Sequence, residues 1–174
     1  MSVPEIPEVV NPSGAADYLE VITRAVFQAG VRWKQIADNW DAYRLAFESF
    51  DLRRVAAYND LDLERVLGTP GILRMRRKVA ATVANARALA EIEREFGGIP
   101  EYLHAFTEYD ALAADIRRRF AFMGEMNVWY FLFRIGEPVP RFENWVDTIR
   151  GDHPRMYDMV LQARAAGRSP ERGE

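Results

Sequence analysis

From Leu19 onward apolar residues recur at three- and four-residue spacing, and almost nowhere do they alternate with polar ones. Leu19, Ile22, Val26 and Phe27 predict a first helix, with Gly30 as its stop, and a second helical stretch runs over 33–47. Short helices are expected over 52–58 and 62–67. The longest covers 73–96, carries Val79, Val83, Ala86 and Ala90, and ends at Gly97-Gly98. Helical stretches then follow over 100–106, 111–119, an aromatic-rich 123–135 and 154–166, with His153 at the entry to the last. No two-residue turn joins β-branched runs, so the fold class is all-α. Residues 1–14 hold prolines at 4, 7 and 12 without periodicity and read as an extended arm. The expected organisation is an arm over 1–17, one helical domain over 18–166, and a polar, fraying tail over 167–174.

A chain of 174 residues, 49% of them hydrophobic, suffices for one buried core. Its net charge of −3 does not advertise nucleic acid, so affinity for DNA requires a local patch. Arg74, Arg76, Arg77 and Lys78 form one candidate and Arg117, Arg118 and Arg119 another. Cysteine is absent, which excludes disulfides and thiolate metal sites. No apolar run reaches bilayer length and no secretion signal is recognisable, which makes the cytoplasm or nucleoid the expected location.

Charge and turn chemistry converge at Leu67-Gly68-Thr69-Pro70-Gly71-Ile72-Leu73-Arg74. Gly68 and Gly71 allow backbone angles closed to other residues, letting the chain reverse and bring bare amides to an anion. The following helix adds its positive end, and Arg74, Arg76, Arg77 and Lys78 can reach neighbouring phosphates. Taken alone, the same turn also reads as an ordinary helical hairpin with a solvated basic face.

Four motifs in order resemble the bacterial 3-methyladenine DNA glycosylase I family of the helix-hairpin-helix superfamily. They are Gln28-Ala29-Gly30 with Trp33; Tyr43-Arg44 with Phe47, Phe50 and Asp51; Gly71-Ile72 with Arg74, Arg76, Lys78, Ala81 and Asn85-Ala86; and Phe120, Phe122 and Gly124. The resemblance implies a helix-hairpin-helix DNA-binding motif in which Gly68, Gly71, Arg74, Arg76 and Lys78 grip phosphate. It implies a base pocket at Trp33, Gln28 and Ala25, with Phe122, Trp129 and Tyr130 as candidates for its walls. Trp33 would stack on a flipped base, whereas spacing alone makes it one more core aromatic. Two departures stand out. Where the family carries a pocket glutamate, three residues before its Q-A-G, this chain has Ala25, flanked by Arg24. The family's structural zinc needs two cysteines and two histidines, but only His104 and His153 exist, so no metal site is expected and the ends need another fastening. A monovalent cation in the hairpin stays open.

Glu125 is the candidate substitute carboxylate, with a solvated helix start as the competing reading. His104, among apolar neighbours, reads as structural. The implied function is base-excision repair: a monofunctional glycosylase that hydrolyses the N-glycosidic bond of an alkylated purine such as 3-methyladenine after base flipping, acting as a monomer on damaged double-stranded DNA. The alternative is a lesion- or abasic-DNA-binding protein on the same scaffold, for which Ala25 is the best support.

Overall fold

The computed structural model describes residues 9–149 and 154–172. Its helices in chain order are α1 Ala15–Gln28, α2 Trp33–Asp38, α3 Trp40–Ala46, α4 Leu52–Ala56, α5 Asp60–Leu67, α6 Arg76–Phe96, α7 Ile99–Leu103, α8 Tyr109–Arg119, α9 Glu125–Arg134, α10 Phe142–Trp145 and α11 Pro154–Ala165. Among the described residues no strand forms, and a single β-bridge pairs Val139 with Glu171. The fold is all-α, as the periodicity predicts. No described helix is long and apolar enough to cross a membrane. His153 lies outside the described residues.

The centre is α6. Val79, Val83, Ala86 and Leu89 stand on one buried side, facing α1, α4 and α7. Gly97 ends it at φ 84°, a left-handed cap that a β-carbon would strain. Helix α1, buried at Leu19, Ile22, Val26 and Phe27, lies between α6 and α9. Arg87 fastens α4 to α6 by donating to the carbonyls of Ala56, at 2.9 Å, and Tyr58, at 3.1 Å.

The stretch over 33–47 is two helices, not one. Asn39 donates its side-chain amide to the Gln35 carbonyl at 2.8 Å, and its backbone, at φ −108° and ψ 11°, leaves the helix. An asparagine that binds local backbone offers the chain an alternative to the helical ladder. The break turns Trp40 inward to stack on Tyr43 and Phe50, with centroids 4.9 and 5.7 Å apart. Beyond it Glu48, Ser49 and Phe50 all have φ between 50° and 57°. Left-handed backbone costs roughly 1–2 kcal/mol per non-glycine residue, so the segment needs restraint. Burial of Phe50 against Phe47 supplies some, and Glu48 adds more by accepting from the Tyr58 hydroxyl at 2.8 Å and from Arg54 at 3.0 Å.

Both ends of the described chain are fastened. The Val10 amide donates to the Arg134 carbonyl at 2.6 Å, tying the arm to α9. The tail, expected to fray, instead packs. Glu171 accepts from Arg164 and from the Phe142 amide, each at 2.6 Å; Arg164 also pairs with Glu143, and the Arg172 amide reaches the Val139 carbonyl at 2.9 Å.

Candidate nucleic-acid interface and base pocket

The turn between α5 and α6 is built around Gly71. Its φ is 91°, and a β-carbon there would come 3.1 Å from both Ala42 Cβ and Asn39 Oδ1, so glycine is required for conformation and for contact with α3. Gly68 differs from expectation: it closes α5 in ordinary right-handed geometry, φ −83°, and needs no special freedom. The Leu73 amide donates to the Tyr43 hydroxyl at 3.0 Å, anchoring the turn to the aromatic layer. Helix α6 then starts without a side-chain cap or an acid in its first turn. Basic residues at that end oppose the helix dipole, a misfit that a bound anion would relieve.

The cations here have separate fates. Arg74 is exposed and makes no hydrogen bond or ion pair among the described residues. Arg76 pairs with Glu64, and Arg77 sits 5.7 Å from the Phe122 ring centre. Lys78 corrects the sequence reading. It is 3% exposed, and its ammonium donates to the Phe27 carbonyl at 3.1 Å and the Ala29 carbonyl at 2.7 Å, closing the end of α1 instead of facing phosphate. Burial holds its pKa below the usual lysine value. The second basic candidate is neutralised: Arg117 pairs with Glu125, Arg118 with Asp115, and Arg119 with Asp115 and Glu95.

Three predicted pocket residues come together. The Tyr130 hydroxyl, buried on α9, donates to Gln28 Oε1 on α1 at 3.0 Å, and its ring lies 5.6 Å from that of Trp33 at the start of α2. Gly30, at φ 74°, makes the turn that carries the chain from Gln28 to Trp33. Trp33 is only partly buried, so one ring of the group reaches the surface. Ala25, 1% exposed, offers this region a methyl group and nothing ionisable. Burial pushes the Tyr130 phenol up, against the opposing influence of Arg134 and Arg24.

Those two arginines are the part that spacing did not disclose. Arg134 is 6% exposed, one helical turn beyond Tyr130, with its guanidinium 5.9 Å from that ring centre. Arg24, one turn before Gln28, lies 5.3 Å from the Trp40 ring centre, and its buried Nε has no hydrogen-bond partner. Burial pulls its pKa down and the neighbouring Tyr130 pulls it up. The carboxylate on this side of α1, Glu20, accepts from Trp40 Nε1 at 2.8 Å and Arg44 Nε at 2.7 Å. A periodic signal did exist for Lys78: Lys78, Thr82, Asn85 and Leu89 fall on one stripe of α6, all buried.

Among the described residues neither Phe122 nor Glu125 makes a ring contact or hydrogen bond with this group. Phe122 is 41% exposed at φ 59°, in a segment held by Asn85, which donates to the Ala121 carbonyl at 3.1 Å and accepts from its amide at 2.7 Å. Glu125 stands 3.6 Å from Arg117 and lines a cavity of about 240 Å³ with Tyr109, Asp110 and Trp145. The structure thus turns Glu125 toward α8 and does not bring it to Trp33, Gln28 and Tyr130. Trp129 stacks on Phe133 and Trp145, 4.9 and 5.6 Å away, inside the core. His104 is exposed, 3.2 Å from Glu137, so its apolar neighbours in sequence are not its surroundings. Among the described residues no cluster of histidine and acids has metal-binding geometry.

Comparisons with known proteins point to one family. A family model described as methyladenine glycosylase matches residues 12–128. The DNA-3-methyladenine glycosylase of Haemophilus influenzae is 25% identical over 130 residues, 63% of this chain and 70% of its own length. DNA-3-methyladenine glycosylase 1 of Escherichia coli is 33% identical over 82 residues, 47% of this chain and 44% of its own. In fold, the chain is similar to a mutant of 3-methyladenine DNA glycosylase I from Staphylococcus aureus, with TM-score 0.65 at 23% identity over 76% of this chain and 82% of that one. The matched span contains Gln28, Trp33 and the entire turn around Gly71, and the chain belongs to the methyladenine glycosylase family.

Proposed function

We propose that the protein is a monofunctional DNA glycosylase of base-excision repair, hydrolysing the N-glycosidic bond of an alkylated purine, the class that includes 3-methyladenine. The observation that carries this is the assembly of Trp33, Gln28 and Tyr130 from three helices, with the start of α6 tied to the end of α1 through Lys78. A base must leave the stack to be cut, and an accessible tryptophan against a buried hydroxyl–amide pair suits a flipped base. Arg74 and the uncapped start of α6 supply a sequence-independent phosphate grip, read here as the second helix of a helix-hairpin-helix motif. Water attacks the sugar carbon as the glycosidic bond breaks. Its proton passes to solvent, and the base, cationic while attached, leaves neutral, so no acid is needed to protonate it. Lys34 is tied to Asp38 at 2.8 Å and Lys78 is buried, so neither suits Schiff-base chemistry. The partner is double-stranded DNA with a damaged base, met as a monomer in the cytoplasm or nucleoid.

Release of free bases from methylated duplex DNA, followed by chromatography, tests the reading. Trp33→Ala should slow release about tenfold to a hundredfold through lost stacking. Equal rates for the two proteins would remove Trp33 from the pocket. A second reading is favoured by Ala25, which puts a methyl group where the family carries its glutamate: a protein that binds the lesion or abasic site without cutting. Absence of release with salt-dependent binding to abasic duplex would select it.

A further inference from the structure

Phe122 is held where core packing does not need it. It is 41% exposed, and its φ of 59° lies in the left-handed region, where a bulky side chain is strained unless its surroundings impose the conformation. Here they do. Asn85, fully buried on α6, donates to the Ala121 carbonyl at 3.1 Å and accepts from the Ala121 amide at 2.7 Å, and Asn127 on α9 donates to the Phe122 carbonyl at 2.9 Å. Two helices thus fix the backbone while the ring stays outside the core.

The Arg77 guanidinium, on the first turn of α6, lies 5.7 Å from the centre of that ring. Among the described residues the other cation–ring pairs use buried or half-buried rings, whereas this ring is exposed and Arg77 has no carboxylate partner. Arg74, three residues earlier, is exposed as well. An unneutralised cation on an exposed ring suits a ligand that has both a π face and negative charge, which is a nucleotide whose base has lost a stacking neighbour. Such nucleotides arise when a base swings out of a duplex: its partner is left unpaired and the flanking bases each lose one covered face. A fully stacked duplex offers Phe122 no such face.

We infer that Phe122, backed by Arg77, stacks on a nucleobase uncovered in the opened duplex, outside the group around Trp33, so that it recognises the vacated site and not the damaged base. This rests on the proposed reading that the start of α6 lies on DNA.

The test uses the full chain and a duplex carrying a stable abasic site with thymines opposite and beside it. Permanganate oxidises thymine through the open face of its ring, so a stacked thymine is protected. The unaltered protein should protect at least one of these thymines and bind the abasic duplex about tenfold more tightly than the intact one. Phe122→Gly should lose the protection and bring the preference to within about twofold, while its melting temperature stays the same or rises, since glycine adopts left-handed backbone without strain. Phe122→Trp should keep both protection and preference. Protection and preference unchanged in Phe122→Gly, or lost equally in Phe122→Trp, would overturn the inference. Base release from methylated DNA separates it from the proposed activity. No release with protection intact refutes only the glycosylase; release with every thymine unprotected refutes only the stacking; and no salt-dependent binding of either duplex refutes both.

Discussion

Replacement of Lys78 by methionine distinguishes a phosphate contact from an internal fastening. Methionine keeps the aliphatic stem and removes the ammonium, leaving the Phe27 and Ala29 carbonyls, 3.1 and 2.7 Å from Nζ, without their donor. A hydrogen bond to a charged group contributes about 1.5–3 kcal/mol, so two amount to about 3–6 kcal/mol before costs. Burial opposes this, since desolvation lowers the lysine pKa and the folded protein holds that proton less firmly than the unfolded chain does. Allowing about half for that cost leaves a predicted loss of about 2–3 kcal/mol. For a domain of this size the melting temperature should fall by about 4–12 °C. Denaturant unfolding at neutral pH, with an unchanged m-value, gives the stability difference, and DNA binding across a salt series gives the number of phosphates neutralised. The reasoning fails if the variant keeps its stability within about 0.5 kcal/mol while the salt slope drops by a full phosphate contact.

Three further outcomes follow from the same geometry. Arg74→Gln should weaken binding to all duplex sequences and lower the slope of log K against log salt by about 0.9, without altering the melting temperature; an unchanged slope would take Arg74 off the DNA. Alkali should unfold the protein: burial and the Glu48 hydrogen bond push the Tyr58 phenol up to about 12, and burial likewise raises Tyr102 and Tyr109. Stability contributed by a raised pKa is complete below the unfolded value of 10 and is lost as pH climbs through the folded one, so unfolding free energy should decline between pH 10 and about 12, and Tyr58→Phe should flatten that decline. In acid, Arg164 holds the Glu143 carboxyl down at about 2, so its contribution is complete above the ordinary 4.5 and disappears as pH falls toward 2. Arg164→Met should flatten that part of the acid profile and speed proteolysis of the tail, and a tail as resistant as in the unaltered protein would argue against the clasp.

Much of this architecture was legible from helical periodicity, because burial of one face is what the period records. Most of the predicted helices appear within a few residues of their expected bounds, and Gly97 stops α6 as expected. Asn39 was not legible as a break, since its side-chain bond to Gln35 is a local competition that apolar spacing does not register. Of the site, Trp33, Gln28 and Tyr130 were named and do meet, while Lys78 and Glu125, assigned from their places in the family motifs, face elsewhere. Charge in a sequence does not say whether a cation points to solvent or bridges two helices. Arg24 was conspicuous only as the neighbour of Ala25; that it feels Tyr130 and Arg134 depends on α9 crossing α1, which brings together residues more than a hundred positions apart.

The clasp of Arg164, Glu143 and Glu171 has a consequence for the conditions in which this protein can work. A chain end closed by zinc depends on the supply of that element, and its thiolates answer to oxidants and chelators. Closure by guanidinium and carboxylates draws nothing from the surroundings and contains no oxidisable atom. A cell under alkylating or oxidative attack loses reduced thiols at the moment repair is needed, and this fastening holds through that loss, loosening as acid protonates its carboxylates.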